Sequence, residues 1–171
     1  MAELHGWRLC PRCGAELLVE PTRAVCPSCD SIYYANSAPT VGALCEDELG
    51  RLMLVRRAIE PGKGKWDTPG GFLEEGESPL DGLRRELREE TGLEIEPGEF
   101  FAALVDRYGD GPAAPFVLSL NWTVRIVGGT PAPADDVAEI CWFAADDLPG
   151  ADEIGFPSVA ELVQRWHERH T

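Results

Sequence analysis

Two stretches of the chain carry apolar residues at the spacing of an amphipathic helix. In the first, three leucines share one helical face: Leu80, Leu83 and Leu87. Ser78 is a favourable N-cap, Pro79 suits the first helical position, and Gly92 is a typical C-terminal stop. The pattern therefore predicts a helix from Pro79 to about Thr91.

The second helix is predicted near the C-terminus, and shorter apolar runs predict strands. Behind Pro157 and Ser158, apolar residues again recur at helical spacing, at Val159, Leu162, Val163 and Trp166. The strand-like runs are Val41–Leu44, Leu52–Val55, Phe100–Val105, Phe116–Val127 and Glu139–Phe143. The first two runs flank a polar stretch and predict a hairpin, whereas Glu94–Gly98 is predicted to be a turn.

Four cysteines near the N-terminus form two CxxC pairs, Cys10 with Cys13 and Cys26 with Cys29. Two such pairs supply the four thiolates that tetrahedral zinc prefers, although two disulfides or a redox CxxC remain alternatives. The segment from Leu4 to about Tyr34 is too short for its own core, so metal binding must supply its folding energy. It resembles a zinc ribbon, with short strands at Leu17–Val19 and Arg23–Val25.

The charge of the chain limits its partners. The 171 residues carry a formal net charge of −15, which argues against a general nucleic-acid or anionic-membrane surface. No apolar run approaches the roughly 18 residues of a membrane-spanning helix, and the first ten residues lack a secretory signal pattern. We therefore expect a cytoplasmic protein without a membrane partner.

The first helix carries three glutamates beside its apolar stripe: Glu86, Glu89 and Glu90. Like charges three or four residues apart cost about 0.2–0.5 kcal/mol per pair, and a divalent cation among them would reverse that sign. Gly82, one turn earlier, is expected to leave room for a substrate. The alternative is an ordinary solvated face in which Arg85 and Glu89 form a simple ion pair.

The spacing of residues 71–93 resembles the Nudix box of hydrolases that act on nucleoside diphosphates linked to another group. The fixed positions of that box are occupied by Gly71, Glu77, Arg85, Glu86, Leu87, Glu89, Glu90, Gly92 and Leu93. The resemblance implies an α/β fold, namely an α/β/α sandwich with a mixed sheet. Residues 37–171 would form this domain, and residues 1–36 the zinc ribbon that precedes it.

The same resemblance implies a metal site for Mg²⁺ or Mn²⁺. Glu86 and Glu90 are expected to be its main ligands, with help from the Gly71 carbonyl oxygen and from Glu77. The four cysteines would hold a separate, structural zinc.

Roles in proton transfer also follow from the resemblance. Glu89 is the favoured general base, and Glu139 is the alternative because an acid at its place faces the metals in some members of the family. Arg85 is expected to orient a carboxylate of the box without touching the substrate.

Substrate recognition is less closely defined by the sequence. Arg57 and Lys65, close before the box, are candidates for binding phosphate, and the loop Asp106–Pro115 is of the kind that often sets specificity. The chain lacks the residue array that NADH pyrophosphatases carry after the box, so ADP-ribose or FAD is favoured. The alternatives are an NADH pyrophosphatase, an NAD-cap RNA-processing enzyme or a non-catalytic nucleotide sensor. Many members of the family are homodimers, so a homodimer is a candidate assembly.

Overall fold

A computed structural model describes residues 4, 6–111 and 114–171 of the chain. Within this part the strands are β1 (Leu18–Val19), β2 (Arg23–Val25), β3 (Ile32–Tyr34), β4 (Ala38–Cys45), β5 (Leu52–Arg57), β6 (Trp66–Asp67), β7 (Leu93–Arg107), β8 (Phe116–Gly129) and β9 (Val137–Phe143). The helices are α1 (Pro79–Thr91) and α2 (Pro157–His170), with one turn of 3₁₀ helix at Ala145–Asp147. None of the described helices is long and apolar enough to cross a bilayer.

Helix α1 begins and ends where the sequence predicts. The Ser78 hydroxyl accepts a hydrogen bond from the Asp81 N–H, Pro79 occupies the first turn, and Gly92 adopts a left-handed conformation with φ of 69°. The predicted C-terminal helix is also confirmed, as α2.

The predicted hairpin of β4 and β5 is wrong beyond its turn, where a single antiparallel bridge joins Glu46 to Leu52 before the strands take other partners. Strand β4 pairs in parallel with β8, whereas β5 lies between β6 and β9. The continuous apolar run of β4 is buried from Val41 to Cys45, which is typical of a central parallel strand and not of one arm of a hairpin. On its other side, β4 is held by the loop before the helix, because the Val41 N–H donates to the Gly71 carbonyl at 2.9 Å.

The turn predicted at Glu94–Gly98 is also wrong, because these residues belong to the long strand β7. Leu93 and Ile95 are buried, whereas Glu94 and Glu96 are exposed, which is the alternation of a half-buried strand. Pro and Gly at positions 97 and 98 fall where the pairing with β8 is irregular, and such irregularities tolerate both residues.

The core has two layers, separated by β4 and β5. One layer lies against α1 and the other against α2, and alternate residues of the two strands point into each: Met53 into the α1 layer, and Leu52 and Leu54 into the α2 layer. Trp166 of α2 is fully buried in the second layer. This arrangement confirms the predicted α/β/α sandwich with a mixed sheet.

The N-terminal segment has the arrangement expected of a zinc ribbon. One sulfur atom from each of Cys10, Cys13, Cys26 and Cys29 lies within 4.8 Å of the others. A three-stranded antiparallel sheet of β1, β2 and β3 adjoins the cysteines. Strand β3 was not predicted, since only two strands were expected in this segment.

Loss of one ligand should unfold the ribbon without unfolding the rest. In Cys26→Ser, we expect backbone amides of β2 and β3 to lose hydrogen-exchange protection, since the ribbon has too few apolar residues to fold without metal. Amides of β4 and β5 should keep theirs. The matched control is Cys141→Ser in β9, outside the sulfur cluster, and protected ribbon amides in Cys26→Ser would contradict the metal assignment.

Candidate active site

Glu86 and Glu90 of α1 face a cavity of about 280 Å³. They lie one helical turn apart on the same side of the helix, as the sequence predicts. The other walls come from β4, the Asp67–Phe72 segment, the end of β7, the loop before β9 and the start of α2. Two of the three glutamates of the acidic stripe therefore border a space that can hold ligands, so this side of α1 is not an ordinary solvated face.

Glu90 is buried, with 6% of its surface exposed. One carboxylate oxygen accepts a hydrogen bond of 2.8 Å from the Gly70 N–H. Burial, together with the nearby Asp136, Glu86 and Asp67, nevertheless raises the pKa of Glu90 to about 9. Without a cation this carboxylate is therefore held mainly in its protonated form near neutral pH.

Glu86 is placed against the backbone of Gly71. A β-carbon at position 71 would lie 2.6 Å from the Glu86 carboxylate, so only glycine allows this approach. Burial raises the pKa of Glu86 despite its ion pair with Arg85. The Gly71 carbonyl, an expected metal ligand, accepts the Val41 N–H and keeps a second lone pair.

Arg85 connects the acids of the box. Its guanidinium donates two hydrogen bonds to Glu77, at 2.8 and 2.9 Å, and one each to Glu86 at 2.8 Å and Glu89 at 3.1 Å. The hydrogen bonds from Arg85 lower the pKa of Glu77 to about 2. Arg85 also donates to the Phe72 carbonyl. These contacts support the expected positioning role and place Glu77 on Arg85, away from the lining of the cavity.

The two candidate bases lie elsewhere. Glu89 is half exposed and shares one nitrogen of Arg85 with Glu86. Glu139 pairs with Arg56 at 2.8 Å, and neither glutamate lines the cavity.

The expectation that Gly82 leaves room for a substrate is wrong, because the Leu73 and Glu77 side chains fill that space.

The two candidate phosphate ligands differ in position. Arg57 lines the cavity, but its guanidinium already donates to Asp67 at 2.9 Å, to the Pro61 carbonyl at 2.7 Å and to the Tyr108 hydroxyl at 3.2 Å. Lys65 is exposed and outside the lining.

Asp67, the partner of Arg57, is itself buried. Burial raises the pKa of Asp67 to about 6 even though Arg57 opposes the shift.

Most of the acids in the cavity were missed by sequence reasoning. The acidic lining residues are Asp67, Glu86, Glu90, Asp106, Asp135 and Asp136. Among the lining residues that the structure describes, Arg57 is the single arginine or lysine. Neither Asp135 nor Asp136 was expected at the site, but the Ala134 N–H donates to the Glu90 carbonyl and holds this loop against α1. Such a set of oxygen donors fits a hard divalent cation.

Three aromatic residues that also line the cavity, Phe72, Tyr108 and Phe156, form an aromatic wall. Tyr108 and Phe156 are stacked with ring centroids 5.8 Å apart, and Phe72 meets Tyr108 edge to face at 5.1 Å. Tyr108 lies in the loop that was predicted to set specificity. No periodic pattern marks the other two, since Phe72 follows the box glycine and Phe156 precedes α2.

The buried Glu90 predicts a pH-dependent stability when Mg²⁺ and Mn²⁺ are absent. Because the folded state raises this pKa from 4.5 to about 9, the folded protein binds the extra proton and loses stability as the pH rises through that window. Relative to Glu90→Gln, the free energy of unfolding of the wild type should fall by about 1 kcal/mol per pH unit between about pH 5 and 9.

Urea denaturation at a series of pH values measures the two free energies of unfolding in buffer without Mg²⁺ or Mn²⁺. A strong chelator is left out because it would also remove zinc. The half-exposed Glu89→Gln is the matched control and should follow the wild-type slope. If the free energy of unfolding depended on pH in the same way in the wild type and in Glu90→Gln, the assignment of a buried, protonated carboxylate would be contradicted.

Three relatives show how widely the related proteins differ in their named substrates. NAD-capped RNA hydrolase NudC of Stutzerimonas stutzeri is 30% identical over 145 residues, 83% of this chain and 50% of the relative. Putative 8-oxo-dGTP diphosphatase 2 of Mycobacterium tuberculosis is 36% identical over 120 residues, 68% and 79% of the two chains. ADP-ribose pyrophosphatase of Methanocaldococcus jannaschii is 30% identical over 118 residues, 68% and 67%.

The chain spans about half the length, or less, of the NudC and NUDT13 relatives that it matches. Among solved structures, a NUDIX hydrolase from Nitrosomonas europaea superposes with a TM-score of 0.80 at 27% identity, covering 96% of this chain and 93% of the other. The sequence profile of the family described as NUDIX domain matches residues 36–165. The capped helix, the residues of the box and these matches together show that the chain belongs to the NUDIX domain family.

Proposed function

We propose that the protein is a metal-dependent hydrolase that cleaves the pyrophosphate linkage of a nucleoside diphosphate joined to another group. The observation that carries the proposal is the pair of carboxylates, Glu86 and Glu90, at the wall of an acidic cavity. A diphosphate is itself anionic, so it enters such a cavity only together with cations.

Glu86 and Glu90 are the proposed ligands of Mg²⁺ or Mn²⁺, with the Gly71 carbonyl beside them. Asp136 is added as a candidate ligand because it lines the same cavity and acts on the pKa of both glutamates. A bound ion supplies positive charge for the diphosphate oxygens and makes a water molecule more acidic. Glu77 is assigned to hold Arg85.

Glu89 remains the proposed proton acceptor. It shares the Arg85 nitrogen with Glu86 and is half exposed, so its carboxylate lies next to the ligand set and is accessible to water. Arg85 keeps both carboxylates in place. Glu139 is less favoured because it is paired with Arg56 outside the cavity lining.

Phosphate binding is assigned to Arg57 more strongly than to Lys65. Arg57 is fixed at the cavity by three hydrogen bonds, so it presents its charge without losing side-chain entropy on binding. Lys65 is exposed and would have to fold over the opening.

Among substrates, we favour ADP-ribose or FAD. The relatives named above include an ADP-ribose pyrophosphatase, which supports this choice, and an NAD-capped RNA hydrolase, which keeps NAD-capped RNA and NADH as alternatives. The net charge of −15 and the acidic cavity argue against a long RNA partner.

We further propose that the four-cysteine cluster holds zinc and that residues 1–36 form the ribbon module, with residues 37–171 as the hydrolase domain. Four thiolates at this spacing are typical of structural zinc, because such a closed site leaves no open position for chemistry.

Glu90→Gln and Glu86→Gln should each lower kcat by roughly a thousandfold, because each removes a carboxylate that holds the cation. The matched control is Glu139→Gln, which should keep kcat within about threefold. Steady-state kinetics of AMP formation from ADP-ribose at saturating Mg²⁺ and at saturating Mn²⁺ measure both, and unchanged turnover in Glu90→Gln would contradict the metal-site assignment.

Glu89→Gln should lower kcat by about a hundredfold while leaving the affinity for Mn²⁺ unchanged, because it removes the proton acceptor and not a ligand. Isothermal titration with Mn²⁺ separates the two effects. A large loss in Glu139→Gln with normal turnover in Glu89→Gln would transfer the role of base to Glu139.

A panel of ADP-ribose, FAD, NADH, NAD-capped RNA and nucleoside triphosphates should show the highest kcat/KM for ADP-ribose or FAD. Product analysis should find AMP from the preferred substrate. Exclusive cleavage of triphosphates would overturn the proposed substrate class.

A further inference from the structure

The aromatic wall presents partly exposed rings in the same cavity as the acidic residues. Phe72 has 40% of its surface exposed, and Tyr108 and Phe156 are half-buried. Arg57 places its guanidinium 5.1 Å from the Phe156 ring and donates a hydrogen bond to the Tyr108 hydroxyl, so two of the three rings are held in place by Arg57. A fixed aromatic surface at the edge of a polar cavity is suited to a flat ring that is joined to a charged group.

The polar groups next to the wall restrict the chemistry of that ring. The Asp106 carboxylate lines the cavity and accepts hydrogen bonds from Arg107 N–H at 2.7 Å and Ser158 N–H at 2.8 Å, so each of its oxygens retains a lone pair. The Tyr108 hydroxyl accepts from Arg57, so its own hydrogen is free to be donated. One acceptor and one donor therefore lie beside the ring surface.

We propose that the aromatic wall, together with Asp106, is the binding site for the adenine ring of the substrate. Adenine presents an amino group that donates and a ring nitrogen that accepts, which complements Asp106 and the Tyr108 hydroxyl when the base packs on Phe72, whose ring is nearly perpendicular to that of Tyr108. Hypoxanthine, with a keto oxygen and a ring N–H, reverses both groups. Adenine is common to ADP-ribose, FAD and NAD(H), so the inference rests on the proposed function and specifies which part of the substrate is recognised.

The same wall is joined to the proposed metal site by one short segment. Phe72 directly follows Gly71, and its carbonyl is held by Arg85 at 3.0 Å. A ring that packs on Phe72 therefore restrains the residue next to the Gly71 carbonyl and the Glu86 carboxylate. Phe72 is in this way a positioning residue as well as a contact for the ring.

Binding of AMP, IMP and ribose 5-phosphate to the full chain at saturating Mg²⁺ tests the site without requiring hydrolysis. In the wild type, AMP should bind at least about fivefold more tightly than ribose 5-phosphate because of stacking. It should also bind about tenfold more tightly than IMP because the hydrogen-bonding groups match.

Tyr108→Leu should remove most of the advantage of AMP over ribose 5-phosphate, and the ratio of the two affinities is compared because the loss of the hydroxyl also removes one hydrogen bond from Arg57, the proposed phosphate ligand. Phe72→Leu should also reduce the advantage of AMP over ribose 5-phosphate, and it should lower kcat. Tyr108→Leu should mainly raise KM for an adenine-containing substrate. The matched control is Phe100→Leu, an exposed aromatic on β7 that packs on Trp122 outside the cavity lining.

Equal affinities for AMP and IMP in the wild type would overturn the assignment of adenine. An unchanged ratio of AMP to ribose 5-phosphate affinity in both wall variants would overturn the site. Because these are binding measurements, a protein that binds AMP at the wall but hydrolyses nothing would leave the inference standing and contradict the proposed function instead.

Discussion

The mutual repulsion of carboxylates in one partly buried cavity is the constraint on which the rest of this structure depends. Glu86 and Glu90 lie one turn apart, and Asp67 and Asp136 are close enough to raise the pKa of Glu90. Removing such groups from water is costly unless positive charge or hydrogen bonds replace the lost hydration. The arginines do not provide enough of either, because Arg85 serves three glutamates and Arg57 is paired with Asp67. A divalent cation is the simplest species that would balance this cavity.

The fold holds these groups in position despite the repulsion. Helix α1 is fixed at both ends by its caps and from below by buried leucines, so its acidic side cannot turn away from the cavity. The loop before it is tied to β4 by backbone hydrogen bonds. At Gly70, φ is 143° and a β-carbon would meet the Val41 carbonyl at 2.1 Å, so the loop can lie this close to β4 only with glycine there. The stability of the sandwich thus supports an arrangement that is locally unfavourable.

Sequence patterns were sufficient for the parts of the molecule that are determined locally. The limits of α1, the position of Glu86 and Glu90 on one side of it and the approach of the four cysteines follow from capping residues, helical spacing and CxxC pairs. Strand pairing did not follow, because the apolar run of β4 is compatible with either a hairpin or a parallel partner, and that partner, β8, lies more than seventy residues later. The acid Asp136 and the aromatic wall were missed for the same reason: they reach the cavity through tertiary contacts that leave no period in the sequence.

The most direct test of the account is a crystal structure of the protein grown with Mn²⁺, in which anomalous scattering locates the ions. The account predicts at least one anomalous peak within about 2 Å of a carboxylate oxygen of both Glu86 and Glu90. An absence of any peak in this cavity at saturating Mn²⁺, with Glu90 still protonated and bonded to Gly70, would contradict it.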